Sequence, residues 1–254
     1  MLLAVDIGNT NITLGAYRDS ELMFVSRLAT DPSRTGDQYA ITLRDIIDLY
    51  GYEAASFDAA IISCVVPALT GAFGQAVERL FSVRPLVIGP GIKTGLNIKI
   101  DDPGALGADL VAGGVAAVTL YPLPCIVFDM GTATTVSVID GRGVFLGGLI
   151  SAGIGISMEA LATKTAQLPY ISLETPASVI GTNAVDSMRA GIIFSASAVV
   201  DGISQRVEAE LGQTATVVAT GGLAKIVVDH CKREVIYHDN LLLEGLRIIY
   251  EKNK

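Results

Sequence analysis

Apolar runs in this chain are short, and several end on an acid or a glycine. Leu2 to Val5 closes on Asp6. Asn9-Thr10-Asn11 follows, and Ile12, Leu14 and Ala16 then alternate with other residues. This pattern predicts a strand, a tight turn and a second strand. Leu22 to Leu28 supplies a third strand. From Arg34 to Tyr50 the spacing changes, with Tyr39, Ile41, Leu43, Ile46, Ile47 and Leu49 recurring at helical intervals. Ala59 to Val65 reads as a buried strand. Pro67 opens a helix to about Phe81, since proline suits a first turn. Leu86 to Ile88 is another strand, closed by Gly89-Pro90-Gly91, and a helix is predicted from Leu106 to Leu120.

The pattern restarts at Cys125. Ile126 to Phe128 closes on Asp129, and Gly131 to Thr135 then leads into Val136, Val138 and Ile139. Asp140-Gly141 is a hairpin signal, and Val144 to Ile150 makes the next strand. Helices are predicted over Gly155 to Lys164, with Met158, Leu161 and Leu168 in a core, and over Asn183 to Leu211. A strand from Thr216 to Ala219 runs through a Gly221-Gly222 turn into a helix from Leu223 to Cys231. A last helix covers Leu241 to Tyr250.

The repeat is the most informative feature. Leu3-Ala4-Val5-Asp6-Ile7-Gly8-Asn9-Thr10 matches Ile126-Val127-Phe128-Asp129-Met130-Gly131-Thr132 in kind, and the two aspartates lie 123 positions apart in a chain of 254. A duplicated β-β-β-α-β-α module fits that spacing, and the boundary falls near the Leu106–Leu120 helix, giving halves 1–118 and 119–254.

Composition narrows the classes. Half the residues are hydrophobic, 17% are charged and 27 are glycine, which excludes a disordered chain and suits buried strands with tight turns. Mean hydropathy is +0.51, so a membrane span has to be considered. The most apolar stretch, Ala59 to Val77, is interrupted by Pro67, Gly71, Gly74 and Gln75, and no uninterrupted run is long enough to cross a bilayer. No basic n-region precedes the apolar start, so the cytoplasm is the expected compartment. Cys64, Cys125 and Cys231 are dispersed, arguing against a disulfide framework. With a net charge of −8, the chain repels nucleic acid, and any anionic ligand must be held by backbone N–H groups, helix N-termini or a cation.

The paired Asp-x-Gly turns suit a polyphosphate gripped from two sides. Glycine lets the turn backbone approach phosphate, and Thr10 and Thr132 to Thr135 add hydroxyl donors. The acids repel phosphate, so they fit a bridging cation instead. At the late Gly221-Gly222 turn, a nucleobase or ribose can lie against the backbone. Asp101, Asp102 and Asp109 form a separate acidic cluster. Asp109, near a helix start, serves either the helix dipole or as a base beside an attacking hydroxyl.

These motifs, in this order, resemble those of the type III pantothenate kinases, within the actin/hexokinase/Hsp70-like ATPase superfamily. The residues that carry the resemblance are Asp6 to Asn11, Gly107-Ala108-Asp109, Asp129 to Thr135, Gly147-Gly148 with Gly153, and Thr220-Gly221-Gly222. The resemblance implies an α/β fold of two duplicated actin-like (ribonuclease H-like) domains, each with a mixed five-stranded sheet flanked by helices, around an interdomain cleft. It implies ATP-dependent phosphorylation of pantothenate, the first step towards coenzyme A, by a homodimer that uses Mg²⁺ and a monovalent cation (K⁺ or NH₄⁺). Carried over by position, Asp6, Ile7, Gly8, Asn9, Thr10, Asn11 and Thr13 hold ATP phosphates, with Asp6 near Mg²⁺ through water. Thr132, Gly221 and Gly222 contact ATP, Asp129 binds the monovalent cation, and Asp109 accepts the proton. Ile100, Gly107, Ala108, Asp109, Leu110 and Ala184 line the pantothenate pocket. At Ile100, Leu110 and Ala184 the family pattern has tyrosine, arginine and threonine. A more apolar pocket keeps open a kinase of another small alcohol, and a weakly catalytic nucleotide-binding regulator is the reading of a different class.

Overall fold

The computed structural model describes every residue from Met1 to Lys254. The chain forms two compact units, each discontinuous in sequence. The first comprises Met1–Leu96, Asp102–Ala116 and Leu241–Lys254. The second comprises Asn97–Asp101 and Ala117–Asn240.

The first unit is built on a sheet of five strands: β1 (Leu2–Ile7), β2 (Asn11–Arg18), β3 (Glu21–Ala29), β4 (Ala59–Cys64) and β5 (Leu86–Val87), in the order β3-β2-β1-β4-β5. β1 pairs antiparallel with β2 and parallel with β4. One face of the sheet, carrying Leu3, Val5, Ile7 and Ile62, packs with Tyr39, Leu43, Phe73 and Val77 in one core. Those partners come from α1 (Gly36–Leu49) and α2 (Pro67–Phe81). α1 starts on a capping box, in which the Thr35 side chain accepts from the Gln38 N–H and Gln38 Oε1 accepts from the Thr35 N–H. α3 (Ala108–Leu120) begins two residues later than the apolar pattern suggests. The reason is a 3₁₀ turn at Pro103–Ala105, held by Asp102 Oδ1 accepting from the Gly104 N–H at 3.0 Å.

The last helix, α7 (Leu241–Asn253), packs against β1, β2 and β4 of this first unit. Its anchor is polar as well as apolar. The buried Tyr17 hydroxyl donates to Glu244 at 2.9 Å, and Arg247 donates to the same carboxylate at 3.1 Å. The fold thus returns the C-terminal fourteen residues to the unit where the chain began.

The second unit repeats the plan with β7 (Cys125–Met130), β8 (Ala133–Ile139), β9 (Val144–Ala152) and β10 (Thr216–Thr220) in place of β1 to β4. β7 pairs antiparallel with β8 and parallel with β10. This sheet has six strands rather than the expected five, in the order β11-β10-β7-β8-β9-β6. The extra one is the two-residue β6 (Asn97–Ile98), which pairs parallel with Val144 and Phe145 of β9. It is too short to leave a periodic signature. β11 (Ile236–Tyr237) closes the other edge. Ile126, Phe128, Met130 and Val217 pack on one face with Ile192 and Val200 of α5 (Ala184–Leu211). Asn183 caps α5 by accepting from the Asp186 N–H, and Gly212 ends it at φ 66°.

Two further expectations change. The helix read over Leu223 to Cys231 shrinks to α6 (Ala224–Val228), followed by turns. Leu161 does not enter the core. On α4 (Ile154–Lys164) it is 36% exposed, and with Leu168 it lines an open apolar groove, whereas Met158 packs against the second core.

Candidate functional site

In the first unit the chemistry gathers at the C-terminal ends of β1 and β4. The turn after β1 is closed by the Gly8 N–H donating to the Asn11 carbonyl at 3.0 Å. A Cβ on Gly8 would stand 3.1 Å from that carbonyl oxygen. Thr30 buttresses the turn from outside: its hydroxyl donates to the Gly8 carbonyl at 2.7 Å and its N–H to the Thr10 carbonyl at 2.9 Å. Asn9, Thr10 and Asn11 are exposed. The result is a fixed loop with polar groups presented outward, the form a phosphate-binding turn requires.

Asp6 lies opposite Thr13 of β2 and opposite Ser63 of β4. Residues in register share a sheet face, so Thr13, Asp6 and Ser63 form a polar row across three strands. The preceding row on that face, Gly15, Ala4 and Ile61, is apolar. The second unit has the same row: Asp129 lies opposite Thr135 of β8 and Thr220 of β10. The duplication therefore preserves a hydroxyl–carboxylate–hydroxyl arrangement as well as the Asp-x-Gly turn. Neither Ser63 nor Thr220 is among the expected site residues, although Thr220 belongs to the Thr220-Gly221-Gly222 motif. Their signal is positional, because each sits near the end of the strand that pairs parallel with the aspartate strand.

Around Asp129 three glycines converge. Gly221 has φ +98°, and a Cβ there would meet the Met130 backbone at 2.6 Å. A Cβ on Gly153 would collide with the carbonyl groups of Gly131 and Thr132. Gly131 and Thr132 remain exposed. Gly222, by contrast, meets nothing within 4 Å, so of the adjacent pair Gly221 carries the packing constraint. Thr220 donates to the Asp239 carbonyl at 3.3 Å.

Asp109 occupies the first turn of α3 in the first unit. Its Oδ1 accepts from the Leu110 N–H at 2.8 Å, and a Cβ on Gly107 would run into this carboxylate. Burial pushes its carboxyl above the ordinary range, against the lowering effect of the Leu110 and Asp109 backbone N–H groups. A carboxyl raised by desolvation and oriented by backbone N–H groups suits a proton acceptor.

The expected acceptor-site residues are divided between the two units. Gly107, Ala108, Asp109 and Leu110 are contiguous on the first unit. Ile100 belongs to the second unit, where its Cγ2 is the atom nearest to a Cβ built on Gly147, at 3.8 Å. Ala184 opens α5 and lines the apolar groove with Phe128, Met130, Leu161 and Met188. Phe128 and Met130 flank Asp129 in β7 and point to the opposite face, so Ala184 and Asp129 lie on different sides of that sheet.

No cluster of three or more His, Cys, Asp or Glu side chains forms a metal cage. A single carboxylate in a row with two hydroxyl residues does fit a hard cation that keeps its waters and shares substrate phosphates. No helix is long and apolar enough to cross a membrane.

Known proteins agree with this plan. Residues 2–206 match the family model described as type III pantothenate kinase. A type III pantothenate kinase from Halalkalibacterium halodurans is 44% identical over 253 residues, covering all of both chains. Among solved structures, a Baf family transcriptional activator from Campylobacter jejuni aligns with TM-score 0.63 at 19% identity, over 99% of this chain and 98% of its own. A ROK hexokinase from Thermus thermophilus aligns with TM-score 0.54 at 14% identity, over 99% and 98%. The structural matches establish the fold, an α/β architecture shared with actin-like ATPase-fold kinases, and the full-length identity establishes the family: this chain belongs to the type III pantothenate kinases.

Proposed function

We propose that this chain phosphorylates pantothenate with ATP, forming 4′-phosphopantothenate for coenzyme A synthesis in the cytoplasm. The observation that carries the reading is the full-length 44% identity to a type III pantothenate kinase, together with both Asp-x-Gly turns and Asp109 in place. The repeat supports modules 1–118 and 119–254, with α7 packed back on the first.

The backbone of Gly8 to Asn11, with Thr13, supplies donors to ATP phosphates, and Thr132 and Gly221-Gly222 supply contacts to ATP in the second module. Asp6 would hold hydrated Mg²⁺ and Asp129 a monovalent cation, K⁺ or NH₄⁺. When bound, these cations offset negative charge on the polyphosphate. Asp109 accepts the proton of the acceptor hydroxyl as its oxygen bonds to the γ-phosphorus and the bond from that phosphorus to ADP breaks. The proton ends on the Asp109 carboxylate, and ADP leaves as the product. Desolvation, which raises the affinity of Asp109 for a proton, favours this transfer.

A homodimer accompanies this reading. α5 is flanked by an apolar groove of about 720 Å³ whose lining includes Leu161, Gly191 and Val199. We assign the groove to a second copy of this chain, in keeping with the family.

The test is a coupled assay of ADP release with pantothenate, with and without K⁺. ADP release that needs both supports the reading. Turnover of other small alcohols in preference to pantothenate would favour the second reading, which rests on Ile100, Leu110 and Ala184. Nucleotide binding with no turnover would favour a regulator.

A further inference from the structure

Ser63 is fully buried, at 0% exposure, and its hydroxyl makes no hydrogen bond. Buried hydroxyls are nearly always satisfied, and one that is not calls for a specific explanation. Its position supplies one. Ser63 lies next to Asp6 in the parallel pairing of β4 with β1, about 4.8 Å away across the sheet. The equivalent hydroxyl of the second unit, Thr220 beside Asp129, is satisfied by the Asp239 carbonyl. The first unit has kept the hydroxyl without that internal partner.

We propose that the Ser63 hydroxyl is an outer-shell partner of the hydrated Mg²⁺ held at Asp6, accepting a hydrogen bond from a metal-bound water. The inference rests on the reading of the Asp6 turn as the phosphate end of the ATP site. The occupant follows from charge. A phosphate oxygen placed beside the Asp6 carboxylate is repelled. A water on a divalent cation is instead a strong donor with two protons to place, and Asp6 and Ser63 are two neighbouring acceptors on one face. Mg²⁺ gives up its waters reluctantly, so partners for those waters fix where the ion sits. Ser63 is thus a positioning residue acting through the ion's hydration shell.

The experiment is calorimetric titration of the intact protein with a non-hydrolysable ATP analogue, with and without Mg²⁺, on wild type, Ser63→Ala, Ser63→Cys and Ser63→Thr. Thermal melts of the ligand-free proteins run alongside. Wild type binds the analogue more tightly with Mg²⁺. In Ser63→Ala and Ser63→Cys the Mg²⁺-dependent tightening falls by about tenfold, the low end of what outer-shell partners contribute. Affinity without the metal stays unchanged, and the Ser63→Ala melting temperature is equal or higher, since an unsatisfied hydroxyl has been removed. Ser63→Thr, which keeps the oxygen, restores the tightening. Unchanged tightening in both Ala and Cys variants overturns the inference. So does an equal loss with and without Mg²⁺, which marks a structural role. A wild type that binds no Mg²⁺–nucleotide at all overturns the phosphate-site reading itself, and the Ser63 inference with it.

Discussion

Asp109 accepts a hydrogen bond from the N–H of its neighbour Leu110 at 2.8 Å while burial raises its carboxyl above the ordinary range. The two influences oppose each other, and burial is the larger. A folded-state pKa above the unfolded one contributes stability that is fully present at low pH and is lost as pH rises through the folded value. Asp109→Asn removes the ionisation and keeps an oxygen for the Leu110 N–H. We expect its turnover to fall by about 10²–10⁴-fold. Its melting temperature should exceed that of wild type near neutral pH, and the gap should close as pH drops below the ordinary carboxylate range. Wild-type activity should fall on the acid side through the raised pKa. Full activity in the variant would remove Asp109 as the base.

Gly221→Ala tests the turn beside Asp129. The position has φ +98°, and a methyl group would stand 2.6 Å from the Met130 carbonyl oxygen. The conformational term alone costs about 1–2 kcal/mol, and the collision is with backbone, which yields little. We expect a loss of at least about 2 kcal/mol in denaturant unfolding, with weakened ATP binding. Gly222→Ala, which meets open space, should retain most of both. Equal effects at the two positions would contradict the assignment of the constraint to Gly221.

This contrast shows how much of the site was legible in sequence. The strands ending at Asp6 and Asp129, and the helices around Pro67 and after Asn183, follow from apolar runs, caps and turn residues close together in the chain. The polar row joining Asp6 to Ser63 does not, because it depends on β4 pairing with β1 across 57 positions. Gly221 and Gly222 read alike in sequence; only the backbone of Met130 behind one of them distinguishes them. β6 has two residues and no period. Leu161 keeps helical spacing yet faces a groove, since periodicity gives a side of the helix and not what covers it.

Leu110→Arg tests the acceptor pocket. Leu110 is half-buried on the turn that carries Asp109, and residues 100–110 contain Asp101, Asp102 and Asp109 but no lysine or arginine. An anionic acceptor therefore meets no local cation from this segment. An arginine can bind a carboxylate with two parallel hydrogen bonds, which leucine cannot. If pantothenate is the acceptor, we expect the variant to lower its KM by about tenfold, corresponding to roughly 1.4 kcal/mol of charge-assisted bonding, with kcat within about twofold because uniform binding leaves the chemical step alone. An unchanged KM would place the acceptor's carboxylate away from residue 110.

The groove beside α5 gives the last prediction. Gly191, Ser195 and Val199 form an exposed stripe of small residues along the helix, and Leu161 lines the same groove. Ile150 on β9, next in sequence to the groove-lining Ser151, is 77% exposed, and Ile180, shortly before the groove-lining Ala184, is 80% exposed. A stable interface needs about 800 Å² from each partner, and its centre is where a buried charge is least tolerated. Val199→Glu places a carboxylate in the groove without altering the buried face of α5, where Ile192 and Val200 hold the core. We expect sedimentation to find wild type dimeric at micromolar concentration and the variant monomeric, a weakening of at least about 100-fold, or about 2.7 kcal/mol. The far-ultraviolet spectrum of the variant should be unchanged. Ala184, in the same groove, adds a functional readout: if the second copy completes the pantothenate pocket there, the monomeric variant loses pantothenate affinity and keeps ATP binding. A wild type that sediments as a monomer would sink the dimer. A dimer unaffected by Val199→Glu would place the interface on another face.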